Sequence, residues 1–324
     1  LGTTLNLIIQ PLRDKILAWF CSPNEETILS SMNLLEFFFK RFPYALASSF
    51  ESTKSLLLRA LQHKSHLVTK KAAMVLVAAL KRENGQLTQN QKSLCSDIVK
   101  NLMNEHIPPS YNFVQAMLSV FAYDPSLGSA FEFGKPPYPD IYSKNQWHLI
   151  GLIPISLSCS PEIFTESDFG HYFSIFEKID YSKSDTFVFQ SLGHFCFLLG
   201  QRIQSYQNQR LNILKKIRAS HISIKYKSFA LLSLLIPRDT DFHIIVDSIL
   251  EDQECFSAIN SFIRYCEIWP KKAAQLRTRI FPILNSKLLL NASKEEIVDA
   301  FTFMTKFNFT SSELSIHLLI NYRK

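Results

Sequence analysis

Histidine is the residue type in this chain that could most readily bind a metal or transfer a proton, and nine histidines are present. Two of them, His63 and His66, are only three positions apart. The pair has no third ligand nearby in the sequence and does not match the H-E-x-x-H spacing of zinc-binding helices. We therefore expect His63 and His66 to lie at a surface corner, and a metal site is the alternative. Single histidines within predicted helices usually pack or form structural hydrogen bonds; these are His148, His171, His194 and His243.

The six cysteines lie far apart and include no C-x-x-C pair, the spacing that is typical of zinc and redox sites. Most fall within apolar helical patterns, where a free thiol packs as a small core residue. We expect a reducing compartment, cytoplasmic or nuclear. No glycine-rich phosphate loop and no kinase catalytic-loop sequence occurs. The sequence thus predicts no enzyme activity, cofactor or metal in this stretch, although spacing cannot reveal an active site assembled from distant residues.

Three pairs of adjacent lysines are the charged residues for which a binding role can be argued. In stacked helical arrays, basic residues on the second helix of each pair can line one surface. The lysines concerned are Lys70 and Lys71, Lys215 and Lys216, and Lys271 and Lys272. A solvated face is the interpretation that the sequence favours for these lysines, and a binding surface is the alternative. The net charge of +7 favours anionic partners, but no basic stripe with interleaved aromatics is present, which argues against nucleic acid.

Residues 123–139 interrupt the helical pattern with Asp124-Pro125, two glycines and further prolines. We expect an irregular loop that separates residues 1–122 from residues 140–324. Such a loop often projects from an array as a contact site or is mobile. Phe131 and Phe133 within it are therefore candidate partner contacts.

A second aromatic cluster lies in the LLEFFFKRF segment at residues 34–42, where Phe37, Phe38 and Phe39 are consecutive. Three successive residues of one helix cannot all face the same side. At least one ring must therefore point away from the buried stripe. Burial against an adjacent repeat is one outcome for that ring, and an exposed ring would mark a partner site.

The elements that must position these residues are helices, because apolar residues recur at intervals of three and four positions. The pattern is clearest at residues 49–82, where two helices flank a polar corner at residues 62–65. An isolated helix pair leaves both outer faces uncovered, so it must pack on neighbours. A preceding pair at residues 3–41 includes a helix at 25–41 with two acidic residues in its first turn. The two pairs begin at residues 3 and 49, a separation within the period of about 40–47 residues of HEAT and armadillo arrays.

Length and composition favour the same architecture. A chain of 324 residues must divide into domains or grow by stacking, and its 8 glycines are few for a turn-rich β protein. We predict an all-α fold, a HEAT/armadillo-like α-α superhelix or solenoid of antiparallel helix pairs. We expect it to run through residues 1–324 as one segment of a longer chain, with late helices at 293–306 and 311–322. No apolar run approaches the roughly 20 residues of a membrane span, so we expect a soluble protein.

One stretch also resembles a known family. Its residues are SHLVTKKAAMVLVAALKRENGQ at 65–86, IVKNLM at 98–103 and AMLSVFAYDP at 116–125. They resemble part of the N-terminal HEAT region of target-of-rapamycin and other PI3K-related kinases, where a similar repeat precedes a helix that ends in a Leu-Asp-Pro-like sequence. Here Ser126-Leu127-Gly128 replaces the charged residues that usually follow.

The resemblance implies a non-catalytic scaffold segment that holds partner proteins, with the kinase domain elsewhere in a longer chain. Importin-β-type nuclear transport receptors are also built of HEAT repeats and are the alternative. That alternative implies binding of cargo and a small GTPase. A pull-down with the GTP-loaded GTPase separates the two hypotheses.

Overall fold

The computed structural model describes residues 2–42, 50–80, 86–104, 106–136, 147–252 and 255–280, except positions 274 and 277. All regular secondary structure in these residues is helical, which confirms the predicted all-α class. The chain divides into two compact units, Leu1–Thr165 and Glu166–Lys324. The predicted helices at 293–306 and 311–322, and the end of the predicted loop at 137–139, lie outside the described residues. The prediction of one continuous array stays a prediction.

The structure describes seven α-helices in unit 1, and the first six of them form two layers. The seven are α1 (Gly2–Phe20), α2 (Glu25–Arg41), α3 (Phe50–Leu61), α4 (His66–Ala79), α5 (Gln89–Leu102), α6 (Tyr111–Tyr123) and α7 (Leu152–Cys159). Helix α4 packs between α2 and α6, and α3 contacts both α1 and α5. Each even-numbered helix therefore lies beside the next one in the same layer. Met32, Val75 and Met117 are buried where α2, α4 and α6 meet the core.

The helix ends in unit 1 follow from local side-chain chemistry. The Asn24 carboxamide oxygen accepts a hydrogen bond from the Glu26 backbone N–H at 2.8 Å, so it satisfies a donor at the start of α2. Helix α2 covers residues 25–41, the bounds expected from the sequence. Thr88 and Gln91 form a reciprocal capping box at the start of α5. These caps fix where each helix begins and hence which residues face the neighbouring layer.

The segment after α6 corrects the prediction of a projecting loop. Residues Pro125–Ala130 form a 3₁₀ turn, and a Cβ atom at Gly128 would lie 1.9 Å from the Ser158 carbonyl oxygen, so the turn packs closely on α7. Phe131 and Phe133 are each only 2% exposed. Alternate residues of an extended chain face the same side, and both rings enter the core while Glu132 stays exposed. The Phe131 and Phe121 rings pack edge-to-face, with their centroids 5.3 Å apart.

Unit 2 repeats the two-layer arrangement with six described α-helices. They are α8 (Glu166–Lys178), α9 (Thr186–Leu199), α10 (Gln207–Ala219), α11 (Ile224–Leu234), α12 (Phe242–Glu251) and α13 (Ile259–Ile268). Helix α11 packs against both α9 and α13, while α10 contacts α8 and α11. Aromatic rings fill the core between α8 and α9. The centroid of the Phe195 ring lies 5.2 Å from that of Phe173 and 5.4 Å from that of Phe176.

A buried ion pair fixes α10 to the segment that follows α11. Arg210 is 0% exposed, and its guanidinium donates to the two carboxylate oxygens of Asp239 at 2.5 and 2.6 Å. The same guanidinium donates to the Leu234 carbonyl oxygen at 2.8 Å. The Asp239 carboxylate also accepts the Ile236 backbone N–H at 2.9 Å. A bidentate pair of this kind specifies geometry as well as supplying energy.

Candidate interaction surface

The outer side of the α2, α4 and α6 layer carries large apolar side chains that the fold leaves exposed. Phe37 on α2 is 51% exposed, Leu67 on α4 is 57% exposed and Tyr123 on α6 is 65% exposed. Phe38 and Phe39 are buried, so Phe37 is the ring of the predicted trio that points away from the core. Of the three, Tyr123 also lines a groove together with Met74 and Val77 of α4. Exposed apolar side chains beside such a groove are characteristic of interaction sites. We call this surface the unit 1 layer face.

A groove of about 470 Å³ lies in this face and is lined by residues of α2 and α4 and by the end of α6. Helix α4 contributes Met74, Val77 and Ala78, which are apolar. Lys40 and Arg41 contribute two cations from the last turn of α2. Tyr123 lines the groove from α6. The groove therefore combines an apolar floor, positive charge and an exposed aromatic ring.

A buried carboxylate organises the charge beside the groove. The Glu36 carboxylate accepts hydrogen bonds from the Lys40 ammonium at 2.5 Å and from the Lys71 ammonium. Burial of Glu36 opposes its ionisation, but the two lysines outweigh burial and lower the pKa of Glu36 below its ordinary value. The hydrogen bond to Glu36 correspondingly raises the pKa of Lys40. Lys71 thus ties α4 to α2, and the neighbouring Lys70 is exposed.

In each of the other two lysine pairs, one lysine forms a hydrogen bond, although Lys216 is also exposed. The Lys216 ammonium donates to the Glu177 carbonyl oxygen near the end of α8. The Lys272 ammonium donates to the Gln275 carboxamide oxygen at 2.7 Å and lies 5.3 Å from the centre of the Phe242 ring. The remaining two predicted lysines, Lys215 and Lys271, are exposed. Helix α10, which carries Lys215 and Lys216, packs on α8 and α11 and does not belong to the layer of α9, α11 and α13.

The histidine pair occupies the corner between α3 and α4, as the sequence predicts. The His63 Nδ1 atom accepts the Ser65 backbone N–H at 3.0 Å. The Asn112 carboxamide donates to the carbonyl oxygens of His63 and Lys64 at 3.3 and 2.9 Å. Within the part of the chain that the structure describes, no three His, Cys, Asp or Glu side chains gather as metal ligands. The corner thus holds α6 against the α3–α4 turn.

A stacked arginine in unit 2 is a feature that sequence spacing did not reveal. The Arg264 guanidinium carbon lies 5.2 Å from the centre of the Phe197 ring and 5.0 Å from that of Phe229. One guanidinium nitrogen lies 3.4 Å from His194 Nδ1. Burial, followed by the charge of Arg264, lowers the pKa of His194 to about 3, so this histidine is neutral at physiological pH. These contacts join α9, α11 and α13, and their role is structural.

A second groove in unit 1, about 810 Å³, lies beside α5 and has a different character. Serines and charged residues of both signs dominate its lining. Near this groove, the Lys54 ammonium on α3 forms a salt bridge with the Asp97 carboxylate at 3.0 Å. It also donates a hydrogen bond to the Ser93 hydroxyl at 3.2 Å. Polar groups therefore dominate this lining, which also includes Leu87 and Val99. Helices long and apolar enough to cross a membrane do not occur among the described residues.

No protein-family model matches the chain, no curated protein matches its sequence, and no solved structure matches its fold. The family resemblance stays a prediction. The evidence for function is the chemistry of the unit 1 layer face.

Proposed function

We propose that this chain is a non-catalytic scaffold segment of the HEAT-repeat type that binds other proteins through the unit 1 layer face. The observation that carries the proposal is the presence of exposed Phe37, Leu67 and Tyr123 on three successive helices of one layer. Burying apolar surface is worth about 25 cal/mol per Å², so a partner that covers these side chains gains binding energy. Aromatic side chains and arginine are also the residues most enriched where protein interfaces concentrate their energy.

The packing order supports the HEAT-repeat part of the proposal. In a hairpin array each helix pair contacts only its neighbours, and the second helices form one continuous surface. Helices α2, α4 and α6 contact one another in chain order, and α1, α3 and α5 do the same in the other layer. A surface formed by three or more parallel elements offers an extended contact area rather than an enclosed cleft. Such a surface suits protein binding better than small-molecule chemistry.

We extend the proposal to the target-of-rapamycin-like, PI3K-related kinases on the basis of the resemblance at residues 65–125. That stretch includes α4 and α6, which supply the groove floor and Tyr123. The test is the mass and peptide map of the natural polypeptide, isolated with an antibody to this region. A chain far larger than 37.3 kDa that carries a kinase domain supports the assignment. A chain without a kinase domain refutes it.

Site-specific photocrosslinking tests the binding role itself. A benzoylphenylalanine residue is placed at Phe37 or at Tyr123 in the full chain, and the matched control carries it at Tyr226 in unit 2. Tyr226 is a suitable control because it is also aromatic and is 47% exposed. After irradiation in lysate from the source organism, we expect the same partner protein on positions 37 and 123 and not on position 226. Equal labelling at all three positions, or none, refutes the proposal.

A further inference from the structure

We infer that the groove of the unit 1 layer face takes an acidic segment of a partner protein that carries an apolar anchor side chain. The inference rests on the proposed scaffold function and names the chemistry of the partner. It follows from three properties of the groove: its apolar floor, the position of its cations, and the excess of those cations over the nearby carboxylates.

The apolar floor selects an apolar anchor. Met74 and Val77 are half-buried, Ala78 is buried, and together they form the α4 side of the groove. A volume of about 470 Å³ is within the usual range of about 300–1,000 Å³ for ligand-binding clefts. The room suffices for a few apolar side chains of a partner segment. A wholly polar peptide would leave these α4 side chains in contact with water and gain nothing from them.

The cations lie where they can meet an acidic chain beside that anchor. Arg41 lines the groove from the end of α2 and is exposed. On α4, exposed Lys70 precedes Met74 by four residues and Val77 by seven. Residues with this spacing lie on one side of a helix. An acidic segment that inserts its anchor at Met74 and Val77 therefore passes between positive charges on two helices.

The acidic residues of the groove do not cancel this charge. The Glu36 carboxylate is shared by two ammonium groups, from Lys40 and Lys71, so the cluster retains an excess positive charge. The Asp124 carboxylate accepts the Ser126 backbone N–H at 3.0 Å and the Ser126 hydroxyl at 2.6 Å. Hydrogen bonds from the neutral Ser126 groups do not neutralise Asp124, so both carboxylates keep their negative charges. Four cations exceed these two carboxylates by two charges, and they are Lys40, Arg41, Lys70 and Lys71. The excess positive charge beside the groove steers acidic segments toward it.

Fluorescence anisotropy with three labelled peptides tests the inference on the full chain. The probe is a 16-residue peptide of Asp and Glu with two Leu and one Phe. One comparison peptide replaces every acid by Lys, and the other keeps the acids but replaces the three apolar residues by Ser. We expect the acidic, apolar probe to bind at least about tenfold more tightly than either comparison peptide. Raising NaCl should weaken the binding, since the contacts that guide it are exposed charges.

A matched pair of charge reversals locates the site. The double variant Arg41→Glu, Lys70→Glu alters the groove, and the control Lys215→Glu, Lys271→Glu makes the same charge change at exposed lysines of unit 2. We expect the groove variant to weaken probe binding about tenfold and the control to change it by less than about twofold. Circular dichroism at 222 nm confirms that both variants stay folded. Because all four positions are exposed, neither substitution removes a core contact.

Three results would overturn the inference. The first is equal binding of the acidic and basic peptides, and the second is an equal effect of the two double variants. The third is a dimer of this chain that analytical ultracentrifugation detects in the wild type and not in the groove variant. The photocrosslinking experiment separates this failure from failure of the scaffold proposal. A partner crosslinked at Tyr123 without peptide selectivity overturns the acidic-segment inference alone. The absence of any specific adduct at Phe37 and Tyr123 overturns both.

Discussion

The buried pair of Arg210 and Asp239 gives the sharpest prediction about stability. Replacing Arg210 by Met keeps much of the side-chain volume but removes the guanidinium and its three hydrogen bonds. Within the described part of the chain, Asp239 would then retain only the Ile236 N–H as a protein donor. Its side chain is 7% exposed, so water replaces the lost donors poorly.

The expected cost follows from that burial. Removing one partner of a buried ion pair costs about 3–5 kcal/mol because the other charge stays buried without compensation. The remaining Ile236 N–H and the small exposure of Asp239 place the expected value near the lower end, about 3 kcal/mol. For a unit of this size that loss lowers Tm by about 6–12 °C. The double variant Arg210→Met, Asp239→Leu should recover part of the loss, since an apolar pair leaves no charge buried.

The matched control lies on the same helix. Arg218 pairs with Asp241, and both side chains are well exposed, at 39% and 46%. An exposed ion pair contributes about 0–1 kcal/mol, so Arg218→Met should change stability little. The assay is urea unfolding followed by circular dichroism, with hydrogen exchange of α10 and α11 peptides to locate the loss in unit 2. If Arg210→Met costs no more than Arg218→Met, the assigned role of the buried pair is wrong.

Two further predictions concern packing and pH. Gly193→Ala should destabilise unit 2 by about 1–3 kcal/mol in urea unfolding, because its Cβ would lie 2.4 Å from Phe229 Cδ1. Gly170→Ala, whose Cβ would lie 3.8 Å from Tyr206 Cε1, should cost less, and an equal cost for both would contradict the packing argument. Because the pKa of Glu36 is lowered in the folded state, its ionised carboxylate stabilises the fold at pH values above the ordinary pKa of glutamate. This contribution is lost as the pH falls through the folded-state pKa. Thermal unfolding between pH 7 and 3 should therefore show a smaller acid-induced loss in Glu36→Gln than in the wild type, and parallel curves would refute the assignment.

The helical class could be predicted because each helix buries a stripe of apolar residues and exposes a stripe of polar residues. The two helices expected within residues 49–82 correspond to α3 and α4, with the polar corner between them. The outward direction of one ring among Phe37, Phe38 and Phe39 also followed from helical geometry alone. These features depend on local spacing, and local spacing is present in the sequence.

The contacts that define the candidate site could not be predicted, because they join residues distant in sequence. Lys71 was expected to be available for binding, but its partner Glu36 lies 35 positions earlier on another helix. Phe131 and Phe133 were expected to meet a partner. Both are buried, and the turn before them packs on α7 where Gly128 approaches Ser158, a contact that no local pattern indicates. The buried Arg210 depends in the same way on Asp239, which lies 29 positions later in the chain.

The central claim is that the unit 1 layer face holds a partner protein through its groove. The most direct measurement is the yield of the photocrosslinked adduct at Tyr123 in the Arg41→Glu, Lys70→Glu background, compared with the Lys215→Glu, Lys271→Glu background. Our account predicts that the first background loses most of the adduct while the second retains the wild-type yield. Equal yields in the two backgrounds would contradict it.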